Sequence, residues 1–282
     1  MRVLKQLGAV VAVGVVGSGA VAAAEGSWLL ALVLGVVTAV ASILTYRWVV
    51  GRTERREVTE LARAAAVGAT GRGLGIGALM CVVVIASLAA LGAYAVEGWG
   101  SVTAVAGVVG VTAAAAVVEE LVVRGLLFRL LEPRAGTVLA MGVTGVLFGA
   151  LHLGNAGASV WGATAIAVEA GFMLAAAYAA TRTLWVPIGI HFAWNLLLGG
   201  VFGAEVSGNG EPQGLLVGAT SGPALLSGGD LGPEGSVVAV AAGVLLTVGF
   251  LVLAHRRGRL VPRGGRRRVG ADVEATPHLA TV

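Results

Sequence analysis

Apolar residues run through this chain in long unbroken stretches, without the strict alternation of a half-buried strand. A helix of about 20 apolar residues is long enough to cross a bilayer. Eight such stretches can be read, at 6–24, 28–50, 74–96, 101–118 or beyond, 137–152, 160–181, 184–201 and 236–254. The expected fold class is all-α: a polytopic membrane helical bundle with about eight transmembrane helices. The pattern divides the chain into a two-span region with a basic connector (1–73), a core (74–201), an external Gly-rich loop (202–235), a last span (236–255) and a basic tail (256–282).

Composition agrees. Of 282 residues, 57% are apolar and 12% charged, which excludes a disordered chain, a nucleic-acid module and a typical cytosolic enzyme. The 45 glycines lie mostly inside apolar runs, where membrane helices carry them more often than soluble ones do. The lone Cys81 excludes a disulfide framework and a Cys-based zinc site.

The charges orient the bundle. Arg2 and Lys5 precede the first span, and Arg47, Arg52, Arg55, Arg56, Arg63 and Arg72 lie between the second and third. Arg129 and Arg134 follow the fourth, Arg182 the sixth, and Arg256 to Arg268 the eighth. The intervening loops at 24–27, 97–100, 153–159 and 202–235 contain no Lys or Arg. By the positive-inside rule the N-terminus, the Arg-rich connector and the tail are cytoplasmic, as expected of a multi-pass protein of a cell membrane. The high ratio of Arg to Lys suggests a GC-rich bacterial genome, and so a bacterial plasma membrane. The first run, ending in Ala22-Ala23-Ala24 before Glu25, also resembles a cleavable signal peptide. It is longer than most such segments, which favours a retained first helix. Residues 53–67 read equally as a short interfacial helix or a solvated basic connector. The basic tail fits anionic lipid better than nucleic acid.

Ionisable groups are costly inside a bilayer and point to function. Here they are Glu119, Glu120, Arg124, His152, Glu169 and His191, with Asn195 as a neutral companion. Glu120 and Arg124 are four residues apart, so one helical face can pair them. One arginine needs only one carboxylate, which leaves Glu119 the better placed for chemistry and gives Glu120 and Arg124 a structural or substrate-positioning role. His191 and Asn195 share a face, as do Phe148 and His152, although an aromatic at that spacing is normally packing. For Glu169 a structural role ranks first. Counting from a turn at Pro133–Gly136, Glu119 and His152 reach similar heights, roughly 21 and 25 Å at 1.5 Å per residue. From Arg182 and Thr183, His191 is only about 12 Å in. The heights agree if the first hairpin projects further into the cytosol, which would put the site nearer that face.

The three motifs occur in order on separate spans: EELVVRG at 119–125, FGALH at 148–152 and HFAWN at 191–195. Together they resemble the CPBP family of intramembrane proteases, bacterial relatives of the type II CAAX prenyl endopeptidases that include a bacteriocin-processing and immunity group. The resemblance covers roughly 75–200 and implies an endopeptidase acting within the bilayer. Carried over, it implies that Glu119 and His152 activate water, that His191 and Asn195 stabilise the oxyanion, and that Glu120 and Arg124 position substrate or shape the site. Phe148 would pack beside the water. His152, His191 and Glu119 are also the residues a zinc ion would use, although a metal-free glutamate-type site explains the motifs as well and no HExxH helix is present. Expected partners are membrane lipid and a membrane-associated peptide or protein substrate, with no nucleic acid. The rival class is a non-catalytic immunity or scaffold protein that keeps the motifs. An ion or proton relay would need polar residues reaching both faces, and the spans outside the motifs supply little besides Glu169.

Overall fold

The structure, a computed structural model, describes residues 1–24, 26–210 and 214–264. Glu25, Glu211 and the basic cluster at Arg266, Arg267 and Arg268 lie outside the described residues. Among the described residues, seven helices are long and apolar enough to cross a membrane: α1 (Arg2–Ala22), α2 (Trp28–Glu54), α3 (Arg63–Ala90), α4 (Val102–Ala135), α5 (Thr137–Gly154), α6 (Val160–Thr181) and, last of them, α8 (Val237–Arg256). A shorter apolar helix, α7 (Trp185–Val201), precedes α8. The expected all-α membrane bundle is therefore present, with its eight apolar helices.

Several boundaries differ from expectation. The third helix begins at Arg63 instead of 74 and stops at Ala90, where Gly92 takes a positive φ of 74° that turns the chain out of the helix. The residues that follow form a strand, β1 (Tyr94–Trp99), antiparallel to β2 (Leu216–Thr220), with Tyr94 opposite Thr220 and Trp99 opposite Leu216. The fourth helix runs on to Ala135 because nothing between Glu119 and Phe128 breaks it; the chain widens there into a π-helical segment, Leu121–Phe128.

Glycine permits the closest helix pairing around the site. A Cβ on Gly73 would strike the Val186 carbonyl, and one on Gly77 the Ile190 carbonyl, so only glycine lets α3 lie directly against α7. α6 is the most enclosed of the spans, with Met173 to Ala180 buried between the α3–α7–α8 side and the α2–α4 side of the bundle.

The two turns marked by arginines are tied together at one end. Glu132 pairs with Arg182, whose guanidinium also donates to the Arg259 carbonyl. Arg257 and Arg259 both donate to the Ala180 carbonyl. The start of the basic tail is thus built into the fold.

The connector at 53–67 is neither of the forms expected. α2 continues to Glu54, a single 3₁₀ turn spans Thr59–Leu61, and Glu60 and Leu61 are buried. The Tyr46 hydroxyl lies 2.8 Å from both the Glu60 carboxylate and the Gly125 carbonyl. Gly125 also accepts from Arg129 Nε at 2.7 Å, so side chains serve a carbonyl of the widened segment next to Arg124. The Glu60 carbonyl accepts from the Leu184 N–H just before α7. The two-span region therefore braces both the helix carrying the acidic pair and the helix carrying His191.

Burial alone would raise the Glu60 carboxyl, but hydrogen bonds from Arg56 outweigh it and hold Glu60 below its ordinary value. Such a group contributes stability above the ordinary glutamate value of about 4.3, and the contribution is lost as pH falls through the lower folded value. The unfolding midpoint of the full chain should be insensitive to Glu60 between about pH 5 and 7 and fall below about pH 4. Glu60→Gln should make that acid fall shallower, and an unchanged acid profile in the variant would show that the brace contributes nothing.

Candidate active site

Four helices and one loop supply the site. Glu119, Glu120 and Arg124 come from α4, Phe148 and His152 from the end of α5, Glu169 from α6, and His191 and Asn195 from α7. Three of these helices depart from α-helical winding at the site: Leu121–Phe128 contains Arg124, Ala167–Phe172 contains Glu169, and Leu196–Val201 begins directly after Asn195. Such π segments are rare, and they frequently occur at functional sites.

Arg124 is the hub. It is fully buried, as is Glu120, and its Nη1 donates to Glu120 Oε1 at 2.7 Å. Nη2 donates to the carbonyls of Ala170 and Gly171 at 3.1 and 3.0 Å, and the guanidinium carbon lies 4.5 Å from the centre of the Phe148 ring. A buried guanidinium is tolerated only when paired and hydrogen-bonded, and here it clamps α4, α5 and α6 together. Phe148 also stands between the two imidazoles, with its ring centre 4.9 Å from that of His152 and 6.1 Å from that of His191. It is packing, as its spacing suggested, but packing that sets the site.

The imidazoles are anchored through Nδ1. His191 Nδ1 lies 3.1 Å from Glu120 Oε1, and His152 Nδ1 lies 2.8 Å from the Phe148 carbonyl. A carbonyl and a carboxylate can only accept, so each Nδ1 carries the proton and each Nε2 is left for other work. His191 Nε2 is 4.0 Å from Glu119 Oε2. Glu119 is only partly covered, its side chain 36% exposed where that of Glu120 is fully buried, and the Oε2 atoms of both have no hydrogen-bond partner. Glu120 makes the ion pair with Arg124, and Glu119 faces His191.

His152, His191 and Asn195 line one cavity with Phe148, Glu169, Trp194, Ser207 and Glu234. Its accessible room is about 20 Å³, close to what a single water needs. Glu119 is not on its wall and joins the group through His191. Among the described residues no three His, Cys, Asp or Glu side chains are grouped so as to hold a metal ion. His152, His191 and Glu119 therefore do not fit together as a zinc ligand set.

Ser207 and Glu234 lie in the segment expected as an external Gly-rich loop and were not among the candidate site residues. The segment folds back onto the helices. Glu234 is 3% exposed and accepts from Trp194 Nε1 at 2.8 Å and from the Ser207 backbone N–H and hydroxyl. Asn155 Nδ2 donates to the Ser207 carbonyl, and Trp161 Nε1 to that of Gly235. The signal was the apolar content of the segment, including Leu215, Leu216, Val217, Leu226 and Leu231, which a free outer loop would not need.

The Glu132–Arg182 pair brings the two Arg-marked turns together. His152 and His191 meet across Phe148 although they lie at different distances along their helices from those turns. Ser207 and Glu234, from the segment before α8, complete the cavity wall.

Residues 100–197, from just before α4 to two residues past Asn195, match the family described as Type II CAAX prenyl endopeptidase Rce1-like. The match is consistent with the CPBP resemblance and implies intramembrane endopeptidase activity in general; it carries no indication of a bacteriocin group. No curated protein and no solved structure matches the chain.

Proposed function

From the likeness of the 100–197 core to type II CAAX prenyl endopeptidases, we propose that this multi-pass protein hydrolyses a peptide bond of a membrane-associated protein or peptide. The observation that carries the reading is the convergence of two imidazoles and an amide, from His152, His191 and Asn195, on a space the size of one water, with Glu119 and Glu120 joined to the group through His191.

Hydrolysis requires a base for the water proton and donors for the oxyanion. Glu119, unpaired and partly open, takes the proton, with the free Nε2 of His152 orienting the water. The Asn195 side-chain amide donates to the oxyanion. His191 joins it when its Nε2 also carries a proton, while Glu120 fixes the ring through Nδ1. Arg124 holds Glu120 in place, and Phe148 closes the space between the rings. The surrounding lipid and apolar walls strengthen each of these interactions relative to water.

The test compares membrane peptides, by mass spectrometry, from cells producing the wild-type chain or His152→Ala. New peptide termini confined to the wild-type sample support the reading, and identical sets with equal amounts of inserted protein contradict it.

A further inference from the structure

We propose that Glu169 is a further catalytic residue, an uncharged carboxylic acid on the cavity wall that gives its proton to the leaving amine. The proposal rests on the hydrolase reading above and fills a role that the other groups leave open. Water activation and oxyanion binding account for Glu119, His152, His191 and Asn195, but the departing nitrogen also needs a proton.

Glu169 is 1% exposed, and its Oε1 is buried with no hydrogen-bond partner among the described residues. The same side chain lines the cavity that His152, His191 and Asn195 line. No ion pair joins it to a cation among the described residues. Arg124, whose Nη2 reaches the neighbouring carbonyls of Ala170 and Gly171, makes its ion pair with Glu120 instead. The other groups facing the cavity are the two imidazoles, the Asn195 amide and Glu234, whose carboxylate is engaged by Trp194 and Ser207. A carboxylate without a counter-ion is the form such a site tolerates least, whereas the acid is neutral and can donate. α8 holds it in place: a Cβ on Gly243 would strike the Glu169 backbone, so the two helices are in direct contact there. The widened segment Ala167–Phe172 is where the side chain leaves α6.

The step balances. Water adds to the carbonyl carbon as its proton passes to Glu119, giving a tetrahedral oxyanion. The carbonyl re-forms, the C–N bond breaks, and the nitrogen takes the Glu169 proton. The products are a carboxylic acid and an amine. The proton held by Glu119 then returns to Glu169, and the product acid protonates the amine.

The experiment uses the full chain in phosphatidylethanolamine–phosphatidylglycerol vesicles with a pool of N-myristoylated, internally quenched peptides. For a peptide that is cut, the matching ester with oxygen in place of the scissile nitrogen is also tested. An alkoxide leaves with far less need of a proton, so Glu169→Gln should lose about 10²-fold in kcat on the amide while staying within a few-fold of wild type on the ester. Equal losses on both, or no loss on the amide, would overturn the assignment. Infrared difference spectra of wild type against Glu169→Gln provide a readout independent of turnover. A carboxylic-acid carbonyl band present at neutral pH only in the wild type supports the proposal, and its absence from the wild type contradicts it. If the wild type cuts neither amide nor ester, the hydrolase reading itself fails, and the carbonyl band still reports the state of Glu169.

Discussion

Replacing Glu119 by Gln is expected to reduce peptide cleavage by at least about 10²-fold while leaving the stability of the chain within about 0.5 kcal/mol. The contrast follows from its surroundings. Glu119 sits beside a buried cluster but does not hold it together: its Oε2 makes no hydrogen bond, and His191 Nε2 is 4.0 Å away. Glutamine keeps the size of the side chain and one carbonyl oxygen but cannot accept the proton of water. The measurement is kcat on a reconstituted peptide together with the thermal midpoint of the same preparation. A variant that folds normally and cleaves at the wild-type rate would remove Glu119 from the mechanism.

Arg124→Met should behave in the opposite way, losing stability as well as activity. The substitution removes one buried charge and leaves Glu120, which is fully buried, with only His191 to face it. Breaking a buried pair by removing one member costs about 3–5 kcal/mol, because the remaining charge is desolvated and uncompensated. The clamp on Ala170 and Gly171 is lost as well, so the segment bearing Glu169 loosens. Adding Glu120→Gln to Arg124→Met should restore much of the stability without restoring turnover, since His191 would still lack its charged anchor. Unfolding in detergent reads the first effect and peptide cleavage the second. An Arg124→Met chain with a wild-type midpoint would mean that the buried Arg124 is not what joins α4 to α6.

Much of this site was legible from spacing alone. Glu120 and Arg124 are one helical turn apart, and helical geometry is enough to pair them and to leave Glu119 over. His191 and Asn195 share a face for the same reason. Relations between helices were not legible. Nothing local says that Phe148 stands between two imidazoles, or that Arg124 reaches the carbonyls of Ala170 and Gly171. Counting residues from the turns gave His152 and His191 different heights, yet the two rings meet across Phe148, because a count along a helix gives height only when tilt is known. The widening of three helices beside the site leaves no mark on hydropathy. Nothing in the Gly, Ser and Pro of the 202–235 segment announces that Glu234 there bonds to Trp194 and Ser207 and completes the cavity.

The central claim is that these side chains act as one unit, and that is most directly measured by non-additivity in the reconstituted full chain. Groups that serve a single chemical step lose no more together than singly. Cleavage of one membrane-inserted peptide is compared for Glu119→Gln, His152→Ala, His191→Ala and the triple variant, with insertion and unfolding midpoint matched. The account predicts that each single change lowers the rate to nearly the level of the triple. Losses that multiply from one variant to the next, or single variants that retain the wild-type rate, would contradict it.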